Sequence, residues 1–130
     1  MTTSETLDLI RGDTFIHKFL DIDMSDYDYS YFTIKEQYKD NDYESIVHVS
    51  SASGLVYIEG VKQTSGSSNG EIISGSASLT VKIHPTATKE FEYYTNNCYY
   101  DLQVTSTSGS IVTPHLGEIS IIRDVTKRTN

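Results

Sequence analysis

Four histidines, a single cysteine, a carboxylate-rich loop and ten tyrosines are the side chains of this 130-residue chain that could do chemistry or recognition. His17, His48, His84 and His115 are too widely spaced for a zinc-type H-x3–5-H pair. His17 and His48 fall within apolar, β-branched runs, where a packed or edge histidine is the expected role. Cys98 stands between Asn97 and Tyr99, with no basic neighbour to favour its thiolate, and reads as an inert strand residue. The loop Asp21-Ile22-Asp23-Met24-Ser25-Asp26-Tyr27-Asp28 offers carboxylates of the kind a hard cation needs. Its spacing departs from an EF-hand, since position six from Asp21 is Asp26 rather than Gly and position twelve is Phe32 rather than Glu. A looser calcium site between strands and a plain solvated loop both fit. No serine sits in G-x-S-x-G, no glycine loop resembles a phosphate cradle, and no acid/base constellation is visible. The chain is therefore expected to be non-enzymatic, with no metal and no cofactor.

Tyrosine is the stronger signal. Tyr27, Tyr29 and Tyr31 form one cluster, and Tyr93, Tyr94, Tyr99 and Tyr100 another, while tryptophan is absent. A tyrosine ring gives a rigid apolar face and a hydroxyl that tolerates water, which suits a contact surface. Tyr27, Tyr29, Tyr93 and Tyr94 are the candidate partner contacts, joined by Arg123, Lys127 and Arg128 in the basic C-terminal stretch. Tyr100 is a candidate for a tyrosine corner. Arg11-Gly12-Asp13 spells an adhesion tripeptide, but a glycine turn between two strands explains it as well.

The charge balance narrows the partners. Ten basic against 18 acidic residues give −8, the wrong sign for nucleic acid or an anionic membrane. Asp21 to Glu44 carries eight acids and only Lys35 and Lys39, whereas residues 123–130 carry three bases against Asp124. One cysteine cannot form an internal disulfide, no run of 18 apolar residues exists, and Met1-Thr2-Thr3-Ser4-Glu5 lacks a basic start. These features predict a soluble single domain over 1–130, made inside the cell, with short polar termini available for docking.

The elements that must position these residues have a period of two. Ala77 to Ile83, Tyr100 to Thr105, Phe32 with Ile34, and Ile119 with Ile121 all alternate apolar with polar, the pattern of half-buried strands. Residues 13–22 are apolar at both parities, with Phe15 and Phe19 on one side and Ile16, Leu20 and Ile22 on the other, so a strand buried on both faces or carrying a bulge is expected. Residues 45–49 and 55–58 flank Ser-Ala-Ser-Gly as one hairpin, and 99–105 with 111–113 flank a Gly109 turn as a second. Gln63 to Gly70 reads as a long hairpin tip, and a short helical turn is expected near 86–91 after Pro85. About eight strands with almost no helix predict an antiparallel β-sandwich.

The C-terminal third is more specific. Leu79-Thr80-Val81-Lys82-Ile83 is followed by Tyr99-Tyr100-Asp101-Leu102-Gln103-Val104, then Gly109, Thr113, Gly117-Glu118-Ile119-Ser120-Ile121 and Asp124-Val125-Thr126. With Gly12-Asp13-Thr14 near the start, this resembles the N-terminal immunoglobulin-like domain of tailed-phage baseplate upper proteins and related short virion proteins. Asn96-Asn97-Cys98 stands where the family often has Pro-Gly. The resemblance implies an immunoglobulin-like sandwich in the virion, acting as an adaptor or decoration at the tail, baseplate or neck. Its implied partners are other phage virion structural proteins, in a homo-oligomeric assembly. Head decoration and a carbohydrate-binding module are the alternatives.

Overall fold

The computed structural model describes residues 3–10, 12–22, 27–35, 46–52, 54–58, 61–62, 70–75, 77–85 and 95–122. These form two sheets. The larger contains β1 (Thr3–Ser4), β2 (Leu7–Ile10), β4 (Tyr29–Lys35), β5 (Val47–Ser50), β6 (Gly54–Ile58), β7 (Val61–Lys62), β10 (Thr95–Thr105) and β11 (Ile111–Ile122). Its order is β1-β11-β10-β4-β5-β6-β7, with β2 also on β11. The smaller contains β3 (Phe15–Leu20), β8 (Gly70–Ser74) and β9 (Ser78–Ile83), in the order β3-β9-β8. All pairings are antiparallel except those of β1 and β2, which run parallel to β11.

The alternating runs bury the residues the pattern selects. Leu79, Val81 and Ile83 face Phe32, Ile34, Tyr100, Leu102, Val104, Ile119 and Ile121 in one core between the sheets. At its centre Phe19, Phe32 and Tyr100 lie with ring centroids 5.9–6.0 Å apart and tilted planes, within the range of favourable aromatic pairing. Phe15 extends this cluster against Phe32.

The segment 13–22 is not buried on both faces. Phe15 and Phe19 are buried, whereas Ile16 and Leu20 are 58% and 55% exposed on the outer face of the smaller sheet. Ile22 nonetheless points inward, because Asp21 at φ 60° breaks the two-residue alternation just before it. Its amide donates to the Ala77 carbonyl at 3.1 Å.

Both hairpins form. In β5–β6, Ser50 faces Gly54, whose φ of 70° closes the turn. In β10–β11, Gly109 at φ 97° makes the tip. Residues 111–122 are one strand with Pro114 inside it. The register slips between Leu102↔His115 and Val104↔Val112, so the proline sits at a bulge, where its missing N–H breaks no ladder.

The stretch expected as a hairpin tip at 63–70 instead joins the two sheets. β7 pairs with β6 and β8 with β9, so the connection is a crossover. Residues 63–69 themselves, like the helical turn expected at 86–91, lie outside the described residues.

Candidate functional site

Three connections meet at one end of the sandwich: the approach to β4, the β5–β6 turn and the β10–β11 tip. Antiparallel pairing brings them there, since Tyr29 lies opposite Thr105 and Tyr31 opposite Ser50. Asp28, just before β4, and Ser30 within it bind the other two connections. Asp28 N–H donates to the Thr105 carbonyl at 2.8 Å, and its carboxylate accepts from Thr107 N–H at 2.8 Å. Ser30 N–H donates to Ser51 Oγ at 2.9 Å, and Ser51 N–H returns a bond to the Ser30 carbonyl at 2.9 Å. Within the tip, Ser106 N–H donates to the Ser110 carbonyl, Gly109 N–H to the Ser106 carbonyl, and Ser110 N–H to Ser106 Oγ. The tip is thereby rigid while its outer side chains stay available.

Those side chains are small and polar with apolar islands. Ser51, Ala52, Thr107, Ser108, Gly109 and Ser110 are exposed. Tyr29, Ile111 and Val112 are large, apolar and 43%, 64% and 42% exposed beside them. The arrangement suits recognition: Ser and Gly adapt their hydrogen bonds, and a rigid aromatic and two aliphatic groups supply contact area.

The sequence-selected residues divide. Tyr29 lies on this surface, whereas Tyr27 packs partly buried against the core. Tyr93, Tyr94, Arg123, Lys127 and Arg128 lie outside the described residues, as do 23–26 of the acidic loop. Among the described residues, no three His, Cys, Asp or Glu side chains gather as a metal site. Among the described residues no helix is long and apolar enough to cross a membrane.

Three of the histidines have structural partners. His48 Nδ1 lies 2.9 Å from Thr33 Oγ1 and stacks under Tyr31. His17 Nε2 lies 3.1 Å from Glu5 Oε1, and His115 Nε2 donates to the Leu20 carbonyl at 2.9 Å. Gly12 turns the chain at φ 87°, with Asp13 N–H donating to the Ile10 carbonyl, as the turn reading of Arg-Gly-Asp expects. Cys98 is fully buried in β10 opposite Ile119.

Glu5 is the residue sequence reasoning missed. β1 and β2 keep one register on β11, and Glu5 lies at the break between them. Its backbone passes so close to Gly117 that a Cβ there would overlap the Glu5 carbonyl. That carbonyl accepts the Tyr100 hydroxyl at 2.9 Å. Tyr100 therefore ties β10 to the first strand and does not form a tyrosine corner, whose hydroxyl bonds only a few residues upstream. Burial, helped by the Glu5 charge and opposed by this hydrogen bond, pushes its phenol up to about 12.

The order β11-β10-β4-β5-β6 facing β3-β9-β8 corresponds to strands G-F-C-C′-C″ against B-E-D. The fold is an immunoglobulin-like β-sandwich. A chicken TCR is similar at 12% identity and TM-score 0.52, over 94% of this chain and 49% of that one. Murine CRIg gives 12% identity and TM-score 0.49, over 90% of this chain and 92% of that one. Titin Ig tandem domains give 11% identity and TM-score 0.49, over 92% of this chain and 45% of theirs. The chain thus spans about half the length of the titin and TCR chains it matches. No protein-family model and no curated protein sequence matches it. In antibody domains a B–F disulfide and a strand-C tryptophan fill the centre of this fold. Here Phe19, Tyr100 and Phe32 occupy the corresponding strands.

Proposed function

We propose that this chain is a non-enzymatic binding module of a tailed-bacteriophage virion, an adaptor or decoration at the tail, baseplate or neck. It assembles there as a homo-oligomer with other virion proteins. The observation that carries the binding role is the loop end, where Tyr29, Ile111 and Val112 stand exposed among hydrogen-bonded serines and threonines. That composition matches rigid recognition loops rather than a reaction centre. The virion setting is supported by the resemblance of residues 79–126, together with Gly12-Asp13-Thr14, to baseplate upper proteins.

Mass spectrometry of purified particles, with copy number counted against the major capsid protein, tests the reading. Presence at low copy number is the expected result. A copy number near that of the capsid protein would move the chain to head decoration. Absence from particles, with glycan binding that Tyr29→Ala abolishes, would replace the proposal with a carbohydrate-binding module.

A further inference from the structure

Residues 3–10 are fastened to the rest of the molecule in a way that another copy of the chain can reproduce. β1 and β2 lie at the edge of the larger sheet, and among the described residues they pair with β11 alone. They keep one parallel register, from Thr3 on His115 to Ile10 on Ile122. The cleft that receives them is built by later parts of the chain. Gly117 leaves room for the Glu5 backbone, the Tyr100 hydroxyl donates to the Glu5 carbonyl at 2.9 Å, and His17 Nε2 lies 3.1 Å from the Glu5 carboxylate. Leu7 and Leu9 are buried in the core, opposite Ile119 and Ile121 in the ladder. None of these contacts requires donor and receiver to be the same molecule. The joint is short: residues 11–14 connect β2 to β3 in the other sheet. Asp13 N–H closes it on the Ile10 carbonyl at 3.1 Å, with Gly12 at φ 87°.

We infer that residues 3–10 exchange between two copies of this chain, each laying its first strands on the β11 of the other. A vacated cleft would bare a flank of β11 and the places of Leu7 and Leu9, so a segment that leaves must be replaced. The same segment of a second copy is the occupant that meets every feature of the cleft. Because the contacts are the same in both arrangements, the balance is set by concentration. Within one chain the segment faces its own cleft at an effective concentration on the order of millimolar. Closure therefore prevails in dilute solution, and exchange where copies are crowded together, as in a homo-oligomeric assembly. A short connection favours exchange, and two opened connections, running antiparallel across a two-fold axis, gain a contact the closed form lacks. Extended at about 3.3 Å per residue, the chain from Ile10 to Phe15 reaches about 16 Å, so the copies must meet through the ends that carry this turn. Those ends lie opposite the loop end, since β3 runs from Phe15 to Leu20, whose carbonyl meets His115 near the start of β11. Both loop ends thus stay free. The inference stands without the virion setting.

The test mixes two versions of the full chain, Asp8→Cys and Ser120→Cys. Asp8 and Ser120 are ladder partners, at a separation a disulfide can span. Each version carries half of the pair, so the introduced thiols meet in register only where the segment of one copy lies on β11 of the other. The mixture, at about 1 mM, is warmed so that the edge strands open, cooled and oxidised, and the linked peptides are counted by mass spectrometry. Links between positions 8 and 120 are expected to exceed 8–8 and 120–120 links at least about fivefold, and to fall at least about fivefold when mixing is done at about 10 µM. Glu118→Cys, two residues out of register with Asp8, is expected to link only at the level of random collision. Unchanged urea midpoints show that the variants keep the fold. Ser4→Cys with Leu116→Cys, another ladder pair, reads the same exchange if the first pair does not fold. Links between positions 8 and 120 no more frequent than the others, equal linking by Glu118→Cys, or a yield independent of concentration would overturn the inference. Particle content, measured separately, would be untouched by that result.

Discussion

The centre of the sandwich and its loop end use the same residue types for opposite purposes. At the centre, Phe19, Phe32 and Tyr100 are almost wholly buried and touch one another across both sheets. At the loop end, Tyr29, Ile111 and Val112 are equally apolar and face water, held on a backbone fixed by Asp28, Ser30 and Ser51. The difference is one of position along the strands. Where two sheets oppose each other an apolar group has a partner, and beyond the last opposing pair it has none until another molecule arrives. With a single cysteine and so no internal disulfide, the centre is held by this packing, by the strand ladders and by the Tyr100–Glu5 hydrogen bond.

Substitutions should separate these two regions sharply. Phe32→Ala is expected to have the largest effect, about 3–5 kcal/mol of lost stability in urea unfolding, because it removes a ring in contact with three others. Gly117→Ala should cost about 1–3 kcal/mol by pushing β1–β2 off β11. A loss below about 0.5 kcal/mol would mean that the first strand is not held as closely as described. Tyr100→Phe should cost about 1 kcal/mol at neutral pH for the hydrogen bond to Glu5. It should also flatten the alkaline limb of stability. The folded phenol titrates near 12 against 10 in the unfolded chain, so between these values the unfolded state binds fewer protons and stability falls as pH rises. The parent should lose roughly 2–3 kcal/mol over that window relative to Tyr100→Phe. Equal alkaline slopes would contradict the burial of this hydroxyl. The smallest effect is expected at the loop end: Ile111→Ser and Tyr29→Ala should change stability by less than about 0.5 kcal/mol while lowering incorporation into particles. A large stability loss there would erase the contrast.

The centre was readable in the sequence because burial between sheets imposes alternation, and Leu79-Val81-Ile83 and Tyr100-Leu102-Val104 display it without interruption. Both hairpins were readable from Gly54 and Gly109, whose positive φ is a local requirement. What escaped depended on single backbone events or on distant partners. Asp21 reverses the parity of the segment that follows Leu20, so Ile16 and Leu20 were placed with Ile22 although only Ile22 is buried. The crossover between β7 and β8 leaves no pattern, since polar Gly/Ser stretches serve hairpins and crossovers alike. At the loop end the tyrosine cluster pointed to Tyr29, but Ile111 and Val112 looked like ordinary strand residues. Their exposure follows from where β10 and β11 outrun the opposing sheet, which no local pattern encodes.

The pairing of Thr3 with His115 and of Ile10 with Ile122 also sets an order of events at birth. On the ribosome, the first strand must wait for the last, so β1 and β2 emerge long before β11 exists to receive them. Loop closure over that separation comes late, and such non-local pairing slows folding. During the delay the nascent chain carries an unsheltered Leu7-Asp8-Leu9-Ile10 segment, open to capture by a chaperone or by a neighbouring nascent chain. Folding during synthesis is therefore complete only after Ile122 has cleared the exit tunnel.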